Sequence, residues 1–157
     1  MLTLYTKIAK KTIKLLVNSK NIIYNFYEVD KVDTREVNVK TLAYIGDVVY
    51  ELYIREHVIS NSREQVNKLH KKTIKYVSAK AQARIVAAMD TELSDEEKDI
   101  IRRGRNAEAN TVPKNTDVVT YKIATGFESL IGFLYLEKRI ERLEYIIDRS
   151  IKIIEEV

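Results

Sequence analysis

Apolar residues recur every three or four positions along most of this chain, and strand-like alternation of apolar and polar residues is nearly absent. That spacing places the apolar side chains on one face of an α-helix. We therefore predict an all-α fold. Serine or aspartate precedes several of these stretches, and such residues cap the free N–H groups at a helix start. The predicted helices span residues 2–17, 33–59, 62 into the seventies, 78–89, 94–103, 117–138 and 140–156.

Short polar motifs predict where several of these helices begin and end. Asp33 predicts one N-terminal cap, and Ser62 and Ser94 each open a capping box. Gly104 predicts the end of the helix that begins near Ser94, because glycine often follows the last helical residue. Residues 105–116 are therefore the longest predicted loop in the second half of the chain.

The composition limits the class of protein. With 157 residues, the chain is long enough for one domain with a substantial core. One proline and four glycines favour long helices, and the absence of cysteine excludes disulfides and thiolate metal sites. No apolar run reaches the length of about 18 residues that a membrane-spanning helix needs. Lysines interrupt each N-terminal apolar stretch, which argues against a signal peptide. These features fit a protein of a reducing cytoplasm.

The net charge of +4 is concentrated near the N-terminus. Residues 1–27 hold five lysines and no acidic residue, so the rest of the chain is close to neutral. The overall charge is therefore a poor argument for nucleic-acid binding, which must rest on local patches. Residues 1–26 are interpreted as a basic amphipathic extension. Four interpretations of it stay open: added RNA affinity, a cap on the domain, attachment to an anionic membrane surface, or a misassigned start site.

Two carboxylates stand alone within strongly apolar helical segments. Asp47 follows Gly46 in the first segment, and Glu128 follows Gly126 and Phe127 in the second. A buried charge without a partner is costly, so such groups are paired with a cation, bound to a metal or placed at the rim of a cavity. Since each has a nearby glycine that clears space, we expect the two carboxylates to form the two halves of one acidic metal site.

The motifs around these carboxylates resemble those of the ribonuclease III family. The segment 42–51 is similar to the signature helix of that family, and the segment 125–136 is similar to its second acidic helix. The order of all the motifs resembles the Mini-III branch, a nuclease domain without a double-stranded-RNA-binding domain, and the likeness runs from residue 27 to residue 149. The intervening motifs are Leu69-His70-Lys71-Lys72, Val77-Ser78-Ala79-Lys80-Ala81-Gln82-Ala83, Arg102-Arg103-Gly104-Arg105-Asn106-Ala107 and Pro113-Lys114-Asn115-Thr116-Asp117-Val118.

The resemblance implies an all-helical homodimer whose catalytic domain comprises residues 27–157. It implies cleavage of double-stranded RNA with Mg²⁺, for which Mn²⁺ is expected to substitute, leaving 5′-phosphate and 3′-hydroxyl ends. For the Mini-III branch it further implies trimming of large-subunit ribosomal RNA precursors, in the bacterial cytoplasm or in a plastid. A ribosomal protein that shapes the substrate is an additional expected partner.

The acidic ligands depart from the family pattern. The wider family carries four acidic ligands, two on each helix, and here Ala43 and Thr125 occupy two of those positions. The resemblance therefore carries over only Asp47 and Glu128 as catalytic residues and metal ligands. This departure leaves the number of bound metal ions open.

A two-carboxylate site is chemically sufficient for Mg²⁺. This ion often takes one or two carboxylates and fills the rest of its six oxygen positions with water and substrate phosphate. Glu51 lies one helical turn after Asp47, on the same face. It either completes the metal site or pairs with Arg55, four residues further on, and we favour the ion pair.

The stretch from Gln65 to Met89 contains no acidic residue and is the main candidate for RNA binding in the core of the chain. Its first four lysines share one helix face, which would meet the phosphates of a duplex. Because A-form RNA is recognised by shape and backbone, no base-specific contacts are expected. The alternative is an ordinary solvated face. The basic residues concerned are Lys68, Lys71, Lys72, Lys75, Lys80 and Arg84.

A second basic patch comprises Arg102, Arg103 and Arg105. It either contacts RNA or matches the negative end of the helix dipole. Lys114 and Asn115 precede the second acidic helix, where they either position a phosphate or cap that helix.

Tyr44 occupies the aromatic position that, in the family, inserts into the partner subunit. We therefore expect a symmetric dimer with Tyr44 at its self-complementary contact. The alternative is a tyrosine within the core of one subunit. His57 and His70 are too isolated for a metal site or a catalytic triad, and both are interpreted as packing or surface residues.

Two further functions compete with that of a nuclease. One is a non-catalytic RNA-binding or ribosome-assembly module on the same fold, which the absence of acids at Ala43 and Thr125 would favour. The other is an all-α nucleotide pyrophosphohydrolase, an enzyme class that uses closely spaced glutamates. The nearest match here is the segment from Glu92 to Glu97, which we interpret as the start of a surface helix.

Overall fold

The computed structural model describes residues 32–108 and 117–156, and these residues form six α-helices, one short 3₁₀ turn and no strand. The all-α prediction is confirmed. The predicted helix over residues 2–17 lies outside the described residues. The helices are α1 (Val39–Ser60), α2 (Val66–Val77), α3 (Ala79–Ala88), α4 (Asp95–Asn106), α5 (Val118–Leu136) and α6 (Ile140–Glu155), with the 3₁₀ turn at Asp90–Glu92 between α3 and α4.

Helix α5 forms the centre of the described domain, and α1, α3, α4 and α6 pack around it. Its middle is apolar on nearly every side, because Phe127, Leu130, Ile131 and Leu134 are all buried. A helix that is apolar all round must be enclosed by others, which explains its central place. Helix α1 packs the buried Tyr50 against α5, where the Tyr50 and Phe127 rings meet edge to face with their centroids 4.9 Å apart.

Helices α1 and α5 cross with their backbones in direct contact. A Cβ atom built on Gly46 of α1 would overlap the carbonyl oxygen of Glu128, and one built on Gly132 of α5 would overlap the carbonyl oxygen of Leu42. Ser129 adds a polar link at this crossing, since its hydroxyl donates to the Val39 carbonyl at 3.2 Å. Glycine is needed at both crossing points because any side chain there would separate the helices.

Helix α4 approaches α5 through a second pair of glycines. A Cβ on Gly104 would lie 2.8 Å from the Cα of Gly126 and 2.5 Å from the Ser129 hydroxyl. The prediction that the helix ends before Gly104 is therefore wrong. The helix continues to Asn106, because Gly104 serves as a packing contact inside it and not as a terminator.

Four helix starts show side-chain capping, and a serine or an aspartate supplies the cap at three of them. Ser94 forms the predicted capping box, in which the Glu97 N–H donates to the Ser94 hydroxyl at 3.3 Å and Glu97 accepts from the Ser94 N–H at 2.8 Å. Ser78 caps α3 by accepting from the Ala81 N–H, and Asp117 caps α5 by accepting from the Thr120 N–H. These caps fix the directions in which α3 and α5 leave their loops.

Two predicted caps are wrong. The Asp33 side chain binds the backbone and guanidinium of Arg35 in a turn, and α1 begins only after Asn38, whose side chain accepts from the Lys40 N–H at 2.9 Å. The Ser62 hydroxyl donates to the Glu64 side chain, and α2 begins at Val66 without a side-chain cap. In both cases the predicted residue forms a local polar turn that competes with helix initiation.

Candidate active site

A cavity of about 470 Å³ opens where α1, the end of α4 and the first half of α5 meet. Asp47 on α1 and Glu128 on α5, the two carboxylates predicted to share a metal site, both line it. The close crossing at Gly46 is what brings the two carboxylates to the same cavity. Further polar lining comes from Lys40, Glu108, Tyr121, Lys122 and Thr125.

The two carboxylates differ in exposure. Glu128 is half-buried, but Asp47 is exposed at the rim of the cavity and not enclosed in the core. Neither forms an ion pair with any residue in the described ranges, so the alternative of a pairing with a neighbouring lysine or arginine finds no support there.

The carboxylates repel each other in the absence of a cation. Burial, and then the charge of Asp47, raises the pKa of Glu128 to about 7. Burial also raises the pKa of Asp47, followed by the charge of Glu51. Like charges at short range disfavour ionisation, and a divalent cation between them would reverse that effect. The pair therefore has the electrostatic character of a cation site.

The donor set fits Mg²⁺ held by two carboxylates. The positions of the two missing family acids, Ala43 and Thr125, also line the cavity, and the Thr125 hydroxyl donates to the Tyr121 carbonyl at 3.1 Å. Within the described ranges, no group of three or more acidic, histidine or cysteine side chains is placed to hold a metal ion. Oxygen-only donors beside open space for water and phosphate suit this hard cation.

Glu51 is engaged elsewhere. Arg55 donates from Nε to the Glu51 carboxylate at 2.8 Å, and the two side chains form the favoured i,i+4 ion pair. Glu51 does not appear among the residues that line the cavity. It acts on the site only at a distance, through its charge on Asp47.

Gln82 on α3 is a residue that the sequence analysis did not single out. It is 1% exposed, and neither polar atom of its side-chain amide has a hydrogen-bond partner among the described residues. The amide lies close enough to Glu128 to lower the pKa of that carboxyl. The sequence did contain one signal that could have identified Gln82, because it is a polar residue between the apolar residues Ala81 and Ile85.

Lys40, Tyr121 and Lys122 are also cavity residues that were not foreseen. Lys40 precedes Asp47 by seven residues, and Tyr121 precedes Glu128 by the same number. That spacing is two helical turns and places each pair on one face. The periodicity was therefore a usable signal once the carboxylates were chosen.

The basic stretch on α2 and α3 is mostly exposed, and none of its predicted RNA-binding residues lines the cavity. Lys68, Lys71 and Lys75 face solvent on α2, whereas Lys72 is half-buried and pairs with Glu64 at 2.7 Å. These four lysines form the lysine stripe of α2. Three of them are available to a phosphate backbone, and the fourth, Lys72, has a structural partner. Lys80 and Arg84 are exposed on α3.

The second basic patch lies at the end of α4, beside the cavity residues Gly104 and Ala107. Arg102 forms an ion pair with Asp99, Arg103 is half-buried and Arg105 is exposed. Arg103 and Arg105 occupy the last turn, where they also match the helix dipole. Lys114 and Asn115 lie outside the described residues.

Tyr44 is not a core residue of the described domain. Its side chain is 78% exposed, and Val48 one turn later is 57% exposed. Both line the cavity, so an apolar surface adjoins the acidic site. Two more exposed apolar residues, Val118 and Val119, begin α5.

Other polar groups have structural roles. Arg142 donates to the buried Glu97 at 2.8 Å, and Arg149 binds Glu92 at 2.7 Å, so these glutamates attach α6 to the neighbouring segment. They are not free for the metal chemistry of a pyrophosphohydrolase. His57 pairs with Glu155 on α6, away from the cavity lining. No described helix is both long and apolar enough to cross a membrane.

Comparisons with known proteins identify related sequences and a similar fold. Residues 40–139 match the model of the ribonuclease III domain family. The chain is 54% identical to a Mini-ribonuclease 3 of Thermoanaerobacter sp. over 73% of its own length and 81% of the relative, and 48% identical to a Mini-ribonuclease 3 of Enterococcus faecalis over 76% and 92%. A crystal structure of a protein from Fusobacterium nucleatum superposes with a TM-score of 0.69 at 34% identity, covering 76% of this chain and 96% of the other.

Proposed function

This chain belongs to the ribonuclease III family of endonucleases that cut double-stranded RNA, and we propose that Asp47 and Glu128 hold the Mg²⁺ ion on which its cleavage depends. The supporting observation is that both carboxylates line one cavity without a cationic side chain of the described ranges paired to either. Mn²⁺, which accepts the same oxygen ligands, substitutes in this proposal.

The chain's own residues prepare a phosphodiester for hydrolysis. When bound, Mg²⁺ supplies positive charge to the phosphate and lowers the pKa of water. Asp47 and Glu128 hold the cation in their ionised forms, and Lys40 and Lys122 add positive charge to the cavity wall. Attack of water on phosphorus with departure of the 3′ oxygen leaves a 5′-phosphate and a 3′-hydroxyl.

The substrate we propose is the double-stranded part of a large-subunit ribosomal RNA precursor. The similarity to Mini-ribonuclease 3 proteins supports this choice. The exposed lysines of α2 and the arginines at the end of α4 would contact the RNA backbone, which requires no base-specific side chains. A ribosomal protein that shapes the precursor is a further proposed partner, in the bacterial cytoplasm or in a plastid.

We also propose that the enzyme is a homodimer. The exposed Tyr44 and Val48 form an apolar edge beside the cavity, and a two-fold contact would bury this edge against its own copy. Each cavity would then lie close to the dimer axis. A duplex bound along the dimer would meet both sites.

The missing acids at Ala43 and Thr125 would suit a module that binds RNA without cutting it. The family relationship to named ribonucleases argues for an enzyme instead. The unpaired state of both remaining carboxylates agrees, because a non-catalytic protein would gain stability from neutral side chains there.

A gel assay on a long RNA duplex tests the proposed site. Wild type with Mg²⁺ is expected to cut, whereas Asp47→Asn, Glu128→Gln and wild type with EDTA are expected to bind the duplex without cutting it. Glu56→Gln is the matched control, since Glu56 carries the same charge at an exposed position of the same helix outside the cavity. Cleavage at the wild-type rate by both site variants would refute the assignment.

A further inference from the structure

The side chain of Gln82 is a buried amide without a hydrogen-bond partner among the described residues. It is 1% exposed on α3, yet both its amide nitrogen and its amide oxygen lack a hydrogen-bond partner among the described residues. Buried amide groups are nearly always hydrogen-bonded, and an exception calls for an explanation. An apolar residue of similar volume would fit a helix interface better.

The neighbour of this amide is the carboxylate of Glu128. Helix α3 packs against α5, and the amide lies near enough to Glu128 to lower its pKa, although the two form no hydrogen bond of ordinary geometry. Asp47, the other carboxylate, is exposed at the rim. The unpaired amide therefore lies beside Glu128, the less exposed of the two carboxylates.

An amide suits this position better than a charged or an apolar side chain. A lysine or arginine would neutralise Glu128 and compete with a divalent cation for it. A leucine would leave the inner carboxylate oxygen without a donor. A neutral N–H group can hold the carboxylate while leaving its charge available, and carboxylates that bind metals are commonly held by such outer hydrogen bonds.

We propose that Gln82 is a positioning residue of the metal site, whose side-chain N–H donates to Glu128 and orients that carboxylate for Mg²⁺. This inference rests on the proposed function of Asp47 and Glu128. Gln82 touches neither the metal nor the RNA. Its effect is to hold one of the two ligands in place before the cation binds.

Mn²⁺ binding to the full chain without RNA tests this role, with Mn²⁺ as a paramagnetic stand-in for Mg²⁺. Gln82→Met keeps the volume but removes both polar atoms, and it is expected to weaken Mn²⁺ binding by about tenfold or more. The urea midpoint of the metal-free protein should change little, because the loss of the proposed hydrogen bond to Glu128 is offset by removal of a buried amide oxygen that has no partner among the described residues. If this variant does not fold, Gln82→Asn withdraws the amide by one methylene and is expected to weaken binding likewise.

Thr73→Val is the matched control. Thr73 is also a buried polar residue, at 2% exposure, but its hydroxyl donates to the Leu69 carbonyl in its own helix. This variant should leave Mn²⁺ affinity at the wild-type value. A similar loss in both variants would mean that any buried polar change disturbs the site, and would overturn the specific role of Gln82.

A double-mutant cycle tests whether Gln82 affects Mn²⁺ binding through Glu128. In a Glu128→Gln background, Gln82→Met should cause no further loss of the weak Mn²⁺ binding that remains through Asp47. An equal loss in both backgrounds, or an affinity within about twofold of wild type for Gln82→Met alone, would overturn the inference. If Asp47→Asn abolishes binding while Gln82→Met binds Mn²⁺ within about twofold of wild type, only this inference fails. If wild type binds no Mn²⁺, or Asp47→Asn binds it normally, the proposed metal site fails with it.

Discussion

Gly46 of α1 lies directly against the backbone carbonyl of Glu128 on α5, at a separation that leaves no space for a Cβ atom. The next residue along α1 is Asp47. The contact that packs the two central helices is therefore also the contact that brings the two carboxylates to one cavity. Fold and site depend on the same glycine.

Gly46→Ala should consequently damage both stability and activity. The added methyl group meets backbone atoms of α5, which cannot move aside as a side chain could. Overpacking of this kind costs about 1–3 kcal/mol, more than the gain of about 1 kcal/mol from alanine in a helix. Urea denaturation and duplex cleavage measure the two effects. Thr41→Ala, at an exposed position of α1, is the control, and an equally stable, active Gly46→Ala protein would contradict the account.

The helical period was sufficient to predict most elements but not all of their ends. Ser94 and Glu97 form their capping box because both partners lie within one turn. Gly104 misled the boundary prediction because its role is a contact with Gly126, a residue distant in sequence. Local motifs predict local contacts, and a glycine has no side chain to indicate which helix it faces.

The sequence was sufficient to select the two carboxylates of the candidate site, but not the residues that surround them. Asp47 and Glu128 stand out as charges in apolar segments, so the sequence alone selects them. Asp47 is exposed because the face of α1 that carries it opens to the cavity, and the rim of a cavity is one of the positions expected for an isolated carboxylate. Gln82 becomes meaningful only when α3 is known to pack against α5, information that no local pattern contains.

The raised pKa of Glu128 predicts how the stability of the metal-free protein depends on pH. The folded state holds this proton up to a pKa of about 7, whereas the usual value is 4.5. Between these values the folded state binds more protons than the unfolded state, so the free energy of unfolding falls as pH rises. Glu128→Gln removes this pH dependence, so its free energy of unfolding relative to wild type should rise by about 3 kcal/mol between pH 4.5 and pH 8.

Urea denaturation in EDTA at both pH values measures the gain in stability of Glu128→Gln. Glu51→Gln serves as the control, because Glu51 already has Arg55 as a partner. A constant difference in stability between wild type and Glu128→Gln across this pH range would show that Glu128 ionises normally in the folded protein.

The exposed lysines of α2 should govern the salt dependence of RNA binding. Replacing Lys68, Lys71 and Lys75 with glutamine removes three charges from solvent-exposed positions. If each contacts one phosphate, the slope of log affinity against log salt should decrease by about 0.9 per contact. Filter binding of a duplex to the Asp47→Asn protein, over a range of salt concentrations, measures the slope without cleavage.

Lys152→Gln on α6 is the control for a single exposed charge outside the stripe. It should lower affinity little and leave the slope nearly unchanged. If the triple variant keeps the slope of the parent protein, the stripe is a solvated face and RNA lies elsewhere.

Tyr44 should determine the oligomeric state. Its 78% exposed ring and the neighbouring Val48 form an apolar edge that a two-fold contact would cover. Truncation of a central aromatic residue in an interface commonly costs about 2 kcal/mol or more, which weakens a dimer by about thirtyfold. Tyr44→Ala is therefore expected to sediment largely as a monomer at concentrations where wild type is a dimer. Ile59→Ala, another exposed apolar residue of α1 at 61% exposure, should remain dimeric. A stable Tyr44→Ala dimer would remove Tyr44 from the contact, and a monomeric wild type would refute the dimer itself.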